Sequence, residues 1–425
     1  TAAGKAPKQT VADSLKGLNL AGSDDSLSTK DSDSDSDSDS LGLTFYTNGV
    51  NPAAEKSHKL AAAQAEIKQV IGHKSRYIGR HIKNMIRAQV SKYYSTGCIQ
   101  LRGSLEAYFR SLPQFKGAKT VEFKAVGQGA FGAQLVIVDG QPQRVIKEVS
   151  LPPELLESKQ LQEAIEKIMV RQFKGKYMDR DYASFKQDLD KLLRQGIQQY
   201  FDKQIAPYFQ GGRNEKAGQV IGEELGVYVP HTDLIKTPAG KVMTVHDFAP
   251  NDGTLMTHCH PLAGFIDPGL KLQSIQNMML LDALLKNIDR NPANALVTED
   301  RELVPIDHAL SLQGNRLRDQ GTRFATSSSG AFKLLKEHIS KPLTEESKDK
   351  VRNFDLRQAL AKMVEVEQLT LETEVKRGLE TRDTRAKKLI NVPGITTEQF
   401  VWGTLDKTCF RAIMLNPQIT SAELA

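Results

Sequence analysis

The chain has 425 residues, of which 39% are hydrophobic, and a formal net charge of +6. That is enough apolar material for a substantial core and excludes a wholly disordered protein. Cys98, Cys259 and Cys409 stand far apart with no CxxC pair, which excludes a disulfide framework or a zinc module of that type and suits a reducing compartment. No apolar run approaches the roughly 20 residues needed to span a bilayer, and no basic-then-apolar signal sequence opens the chain. A soluble protein is expected.

Residues 1–56 are rich in Ser, Asp, Ala and Gly and are expected to form a disordered leader. Its run Asp31–Ser40 (DSDSDSDSDS) repels itself and reads as a solvated spacer, with a phosphorylation target as the alternative. Residues 57–114 form a basic helical extension. Leu60, Ile67, Ile71, Ile78, Ile82, Ile86 and Val90 recur at spacings of four and seven, which predicts one long helix over Ala54–Tyr94. Lys68, Lys74, Arg76, Arg80, Lys83, Arg87 and Lys92 stand between them, and Glu66 is the only acid after Glu55. A basic amphipathic helix of this kind can lie on an anionic membrane, bind a phosphorylated ligand, or pack on the body with its charges in water. Leu101–Leu112 is expected to be a short helix ended by Pro113.

The pattern then changes to alternation. Thr120–Val126 and Ala133–Val138 read as strands joined by Gly127-Gln128-Gly129-Ala130-Phe131-Gly132, and Gln143–Val149 is a third strand carrying Lys147. A glycine-rich hairpin lets backbone N–H groups approach phosphates that a side chain would exclude. Because these glycines lie between two strands, they point away from a dinucleotide-binding turn, which precedes a helix, and toward a phosphate flap. A charged helical insertion is expected over residues 152–210. Asn214–Leu225 reads as a helix with Glu215 in its first turn. Strands follow in GVYVPHTDLI and KVMTVHDFA, Pro250–Gly253 breaks the chain, and Leu270–Leu285 is an apolar helix.

That helix runs into LLKNIDRNPANALVTEDRELVPIDHALSL, Leu284 to Leu312. The strand around Ala295–Val297, a charged tip and the strand Leu303–Ile306 bring Asp289, Asn294 and Asp307 to one mouth of a small hairpin. Phosphoryl transfer needs such a set: one carboxylate to orient the attacking hydroxyl, and an amide with a second carboxylate to hold magnesium against the phosphates. The same three residues also suit an ordinary turn cluster.

Asp289-Arg290-Asn291-Pro292-Ala293-Asn294 followed by Ile306-Asp307, with LGVYVPHT (Leu225–Thr232) upstream, resembles the atypical kinases related to phosphatidylinositol 3-/4-kinases and to HipA-type bacterial kinases. The resemblance covers roughly Thr120–Leu312. It implies an α+β, two-lobed protein-kinase-like fold with a helical N-terminal extension and a helical insertion: an N-lobe over 115–249, a C-lobe over 250–415 and a tail over 416–425. By the same resemblance, Gly127, Gly129, Phe131 and Gly132 cover the phosphates of ATP. Lys147 grips the α- and β-phosphates, with Glu215 as its partner and Glu163, Glu223 or Glu224 as alternatives. The backbone from His246 to Phe248 receives adenine, Asp289 orients the acceptor hydroxyl, and Asn294 and Asp307 bind Mg2+. His308-Ala309 departs from the Phe-Gly that follows the metal aspartate in ordinary protein kinases, and Asn291 stands where many lipid kinases have His.

The expected activity is transfer of the γ-phosphate to a hydroxyl. Ser or Thr of a host protein is the first choice of acceptor and a phosphoinositide the second; a nucleotide-binding scaffold or an AMP-transferring enzyme is the further alternative. The Ser/Thr/Lys-rich start resembles secretion leaders of bacterial effectors, which implies action in a host cytoplasm, with a host activator among the expected partners. No aromatic-interleaved basic motif points to nucleic acid. His258-Cys259-His260 with His246 cannot all face one ion from a strand or helix, so metal binding is not expected there.

Overall fold

The structure, a computed structural model, describes residues 52–126, 133–149, 158–173, 182–260, 265–287, 289–312, 331 and 334–424. The stretch holding Gly127, Gly129, Phe131 and Gly132 lies outside the described residues, as does nearly all of the expected leader.

The long N-terminal pattern folds as two helices, α1 (Pro52–His73) and α2 (Ser75–Tyr94), rather than one. The break falls at Lys74, whose φ of −97° and ψ of 13° leave the helical basin. Gly72 weakens helix propensity just before it. A short α3 (Leu105–Ser111) is capped by Ser104, whose side chain accepts from the Ala107 N–H.

A six-stranded sheet follows. Its strands in chain order are β1 (Ile99–Gln100), β2 (Val121–Ala125), β3 (Gln134–Val138), β4 (Gln141–Glu148), β5 (Thr232–Lys236) and β6 (Val242–Asp247), and its spatial order is β1-β5-β6-β4-β3-β2. All neighbours are antiparallel except β1 and β5. The strand expected over Gly226–Ile235 is regular only from Thr232 onward.

The helical insertion supplies α4 (Ser158–Phe173) and α5 (Tyr182–Tyr200). From α5 the chain runs through a π turn (Phe201–Ile205) and one helical turn (Ala206–Phe209) into α6 (Gly211–Leu225), an almost unbroken helical path. Glu215 therefore sits in the second turn of its helix, not the first. The extension and the insertion share one apolar cluster: Ile67, Ile71, Ile78 and Ile82 pack with Leu161, Ile165, Met169, Leu189, Leu193 and Ile197. Two segments far apart in sequence thus make one helical bundle with its own core. A second cluster joins that bundle to the sheet through Tyr93, Tyr94, Phe201, Phe209, Leu234 and Val242.

The largest core lies around α7 (Leu272–Leu285), eleven of whose fourteen residues are buried. Apolar on nearly all sides, it can only be a central helix. Around it lie α8 (Glu345–Asn353), α9 (Leu356–Glu365), α10 (Thr373–Leu389), α11 (Thr397–Leu405) and α12 (Lys407–Leu415). Trp402 is buried in this core, and the expected tail lies on it through Ile419 and Leu424. Between α7 and α8 stands the small hairpin β7 (Ala295–Val297) and β8 (Leu303–Pro305), paired in register Ala295 with Pro305. Among the described residues no helix is long and apolar enough to cross a membrane. Secondary structure is mixed α+β.

Candidate functional site

On β4, Ile146 points into the sheet core and the next residue, Lys147, points to the other face. There its Nζ lies 3.2 Å from Glu215 Oε1 and 3.5 Å from Asp307 Oδ1. Of the four acids weighed as partner, Glu215 is the one against this lysine; Glu223 pairs instead with Lys362. Burial opposes the charge on Lys147, but the two carboxylates outweigh it and raise its pKa. The lysine stays protonated.

Glu215 is itself held from the far side. Its Oε2 accepts the backbone N–H of His308 at 2.8 Å, so the residue after Asp307 anchors the carboxylate that pairs with Lys147. Two more bonds bind the same segment to α6: the Asn214 side chain donates to the carbonyls of Ala309 at 2.9 Å and Ser311 at 2.7 Å. Gly218 lets the helix come this close, since a Cβ there would lie 2.9 Å from both Cβ and Cγ of His308. The His308 ring fills that space. Burial first, and then the nearby charges of Arg290 and Lys147, keep its imidazole neutral. Asp307 adopts φ of 59°, a left-handed conformation that aspartate tolerates better than most residues.

The loop of Asp289 is built on a buried ion pair. Arg290 grips Asp282 of α7 with two bonds, Nε to Oδ2 at 2.8 Å and Nη2 to Oδ1 at 2.9 Å, and the two side chains are 1% and 0% exposed. Its third nitrogen, Nη1, donates to the carbonyls of Asn294 and, at 2.6 Å, Ile306. One guanidinium therefore clamps both ends of the hairpin whose mouth presents Asn294 and Asp307. Asn287 adds to the frame, donating to Asp282 at 3.2 Å and accepting the Asp289 N–H at 3.0 Å. The Ile306 N–H donates to the Asn294 carbonyl at 3.0 Å and closes the mouth of the hairpin.

Asn294 donates its side-chain amide to the Asp289 carbonyl at 2.9 Å. Spending the nitrogen there leaves its oxygen free to face a cation. Burial, and then the charge of Asp307, raise the pKa of Asp289, against the opposing influence of Asn291, Arg290 and Asn294. Among the described residues no three His, Cys, Asp or Glu side chains form a metal cage. The amide of Asn294 and carboxylate of Asp307 suit an ion that takes few protein ligands and completes its shell with water and phosphate oxygens, as magnesium does.

At the sheet edge of the site, the Asp247 and Phe248 amides already donate to the carbonyls of His231 and Gln143, at 2.9 and 3.0 Å. The His246 ring lies between the Thr232 and Thr244 hydroxyls, and burial beside Lys147 lowers its pKa to about 3. Lys147, Thr244, Gly212, Glu215, Asp307 and Leu310 line a common pocket. His258 stands apart in a different network, 3.3 Å from Asp267 and 3.1 Å from the Asp252 carbonyl.

Reading the sequence missed Asp282, Asn287, Asn214 and the packing of Gly218 on His308, and gave Arg290 no task. One signal was available. Asp282 is the only charged residue in LQSIQNMMLLDALL, and an acid in the apolar half of a helix that lacks any other charge needs a buried partner.

No protein-family model and no curated protein matches this sequence. Among solved structures the chain is similar to a Helicobacter pylori proinflammatory kinase, CtkA, at 12% identity and a TM-score of 0.34, over 70% of this chain and 97% of that one. A likeness so slight assigns no activity, and the functional reading rests on the residues described above.

Proposed function

We propose that this chain is an ATP- and magnesium-dependent phosphotransferase that moves a γ-phosphate to a hydroxyl. The observation that carries this reading is Lys147 standing between Glu215 and Asp307, with Asp289 and Asn294 joined on the adjoining loop. Ion-paired structural lysines are common. This one is shared by carboxylates from two separate elements beside a hairpin mouth, as a cation that steadies phosphates requires.

In this reading Lys147 binds the α- and β-phosphates and Glu215 fixes its direction. Asn294 and Asp307 would hold magnesium, which supplies charge neutralisation on the phosphates when bound. Asp289 orients the acceptor hydroxyl and accepts its proton as the oxygen bonds to phosphorus and the ADP oxygen leaves. A raised carboxylate pKa suits that task, because it narrows the gap between base and operating pH. The backbone after β6 would take adenine. With the Asp247 and Phe248 amides spent inside the sheet, Ala249 is our choice for the N–H donated to the base. A serine or threonine of a protein is the first acceptor; a lipid hydroxyl is the second reading, favoured by the exposed cations of α2.

The test incubates the full chain with magnesium and ATP labelled at the γ-position or, in parallel, the α-position. Acceptors are the protein itself, a cell lysate and phosphoinositide vesicles, with Asp289→Ala and Asp307→Ala as controls. Transfer of γ-label that is lost in both variants, with nucleotide still bound by Asp289→Ala, supports the proposal. Transfer of α-label would move the reading to nucleotidyl transfer. Nucleotide binding without transfer in every arm would leave a scaffold.

A further inference from the structure

The seven Lys and Arg residues from Lys68 to Lys92 divide into two groups. Lys68, Lys74 and Lys92 are each matched by an acid from another element: Glu166, Asp190 and Glu372. Arg76, Arg80, Lys83 and Arg87 are all exposed, and none has an acidic partner among the described residues.

These four recur at spacings of four, three and four, so at 3.6 residues per turn they fall within roughly 60° of one face of α2. Ile78 and Ile82 bury the opposite face against α4 and α5. From Arg76 to Arg87 the stripe is about 16 Å long at 1.5 Å per residue. Gly72, His73, Asn84 and Ser91 flank it, all exposed and none acidic. A helix face that only needs water usually intersperses acids at i+4, which offset repulsion between like charges. Here α2 has none from end to end, and the fold keeps four mutually repelling cations in line without compensating them.

We infer that this face of α2 docks on an anionic lipid surface. The stripe is convex and spread along a helix, so its charges cannot converge on one small anion as the walls of a pocket would. Spacing of this kind matches an array of separate headgroups, and four to eight basic residues on one helix face are enough for such adsorption. With no large apolar side chain on the stripe, binding is electrostatic and not insertive. It weakens as salt rises.

The experiment is co-sedimentation of the full chain with two vesicles: phosphatidylcholine alone, and phosphatidylcholine with phosphatidylserine. Three proteins are compared. These are the unmodified chain, a variant with Arg76→Gln, Arg80→Gln, Lys83→Gln and Arg87→Gln, and a control with Lys116→Gln, Lys119→Gln, Lys388→Gln and Lys407→Gln. All eight positions are exposed, so melting temperatures should agree, and a variant that melts early is replaced by single substitutions. The expected result is binding to the serine-containing vesicles only. It should fall at least about tenfold in the α2 variant and much less in the control. Equal binding to both vesicles, or equal losses in both variants, would overturn the inference. A short RNA duplex is the competing probe: retention of the RNA, lost with the stripe, in place of vesicle binding would assign the face to nucleic acid and also overturn it.

Discussion

The backbone N–H of His308 donates to Glu215 Oε2 at 2.8 Å, while the other oxygen of Glu215 faces Lys147 at 3.2 Å. One carboxylate thus joins the lysine strand to the segment that follows Asp307. Displacing either neighbour disturbs the other, because a buried carboxylate that loses a partner keeps its desolvation cost. Glu215→Gln keeps the shape and removes the charge. Transfer should fall by about 10²-fold, in line with the loss of one preorganised electrostatic element. Single-turnover assays beside a nucleotide-binding titration would check this; unchanged turnover would remove Glu215 from the site.

Gly218→Ala places a methyl 2.9 Å from His308. The contact involves Cβ and Cγ, which cannot swing away as the end of a long side chain can. The expected cost is about 1–3 kcal/mol of stability, with reduced transfer as α6 is pushed from the hairpin. A second change, His308→Ala, removes Cγ and the ring and leaves only the Cβ contact, so it should restore part of both in the double variant. Urea denaturation of the four proteins gives the coupling. Additive losses would mean that the two residues do not meet as described.

Arg290→Met leaves Asp282 buried without its partner and frees the Asn294 and Ile306 carbonyls. A loss of about 3–5 kcal/mol is expected. Asp282→Leu combined with Arg290→Met should cost less than the sum of the single changes, since no lone charge remains inside. Chemical denaturation tests this directly.

Asp289 gives a pH signature. Burial and Asp307 raise its pKa in the folded chain, so the folded state holds that proton more tightly than the unfolded one. Stability from this group is therefore present at acid pH and is lost as pH rises from the ordinary carboxylate range, about 3.9, through the raised value. Asp289→Asn removes the loss. The variant should melt higher than the unmodified chain at neutral pH, with the gain shrinking toward about pH 4, while transfer is abolished. Melting curves across that range settle the sign, and a variant less stable at neutral pH would refute it.

Tyr94 ties α2 to the start of the Glu215 helix, donating to the Phe209 carbonyl at 2.6 Å from a fully buried position. Tyr94→Phe strands that carbonyl and should cost about 1–3 kcal/mol. Hydrogen exchange should rise in Gly211–Leu225 as well as in α2. A rise confined to α2 would show that the bundle and the Glu215 helix are not coupled through this residue.

Much of the local structure was legible in the sequence because it depends on short-range pattern. Alternation marked β2, β3 and β4. The spacing from Asp289 to Asn294 and on to Asp307 implied a hairpin with those groups at its mouth, since a two-strand turn returns the chain to its start whatever surrounds it. Apolar density marked α7. The break at Lys74 and the early start of α6 were hidden, because a helix boundary is set by a balance of about 1 kcal/mol that neighbouring packing can tip.

Tertiary structure alone decided which distant residues meet. Four acids could have served Lys147 in the sequence; the packing of α6 on the hairpin, through Gly218 and Asn214, selects Glu215. The sequence showed a basic helix and, a hundred residues later, a charged insertion, but periodicity describes one helix at a time and cannot say that their apolar faces complete each other. Nor could it sort the basic residues. Lys68, Lys74 and Lys92 are neutralised by acids brought from 98, 116 and 280 positions away (166 − 68, 190 − 74, 372 − 92), whereas Arg76, Arg80, Lys83 and Arg87 are left facing water. Residue type and order determine what each segment can bury; the fold determines against what, because the energy of a buried face or a paired charge depends on the partner that fills it.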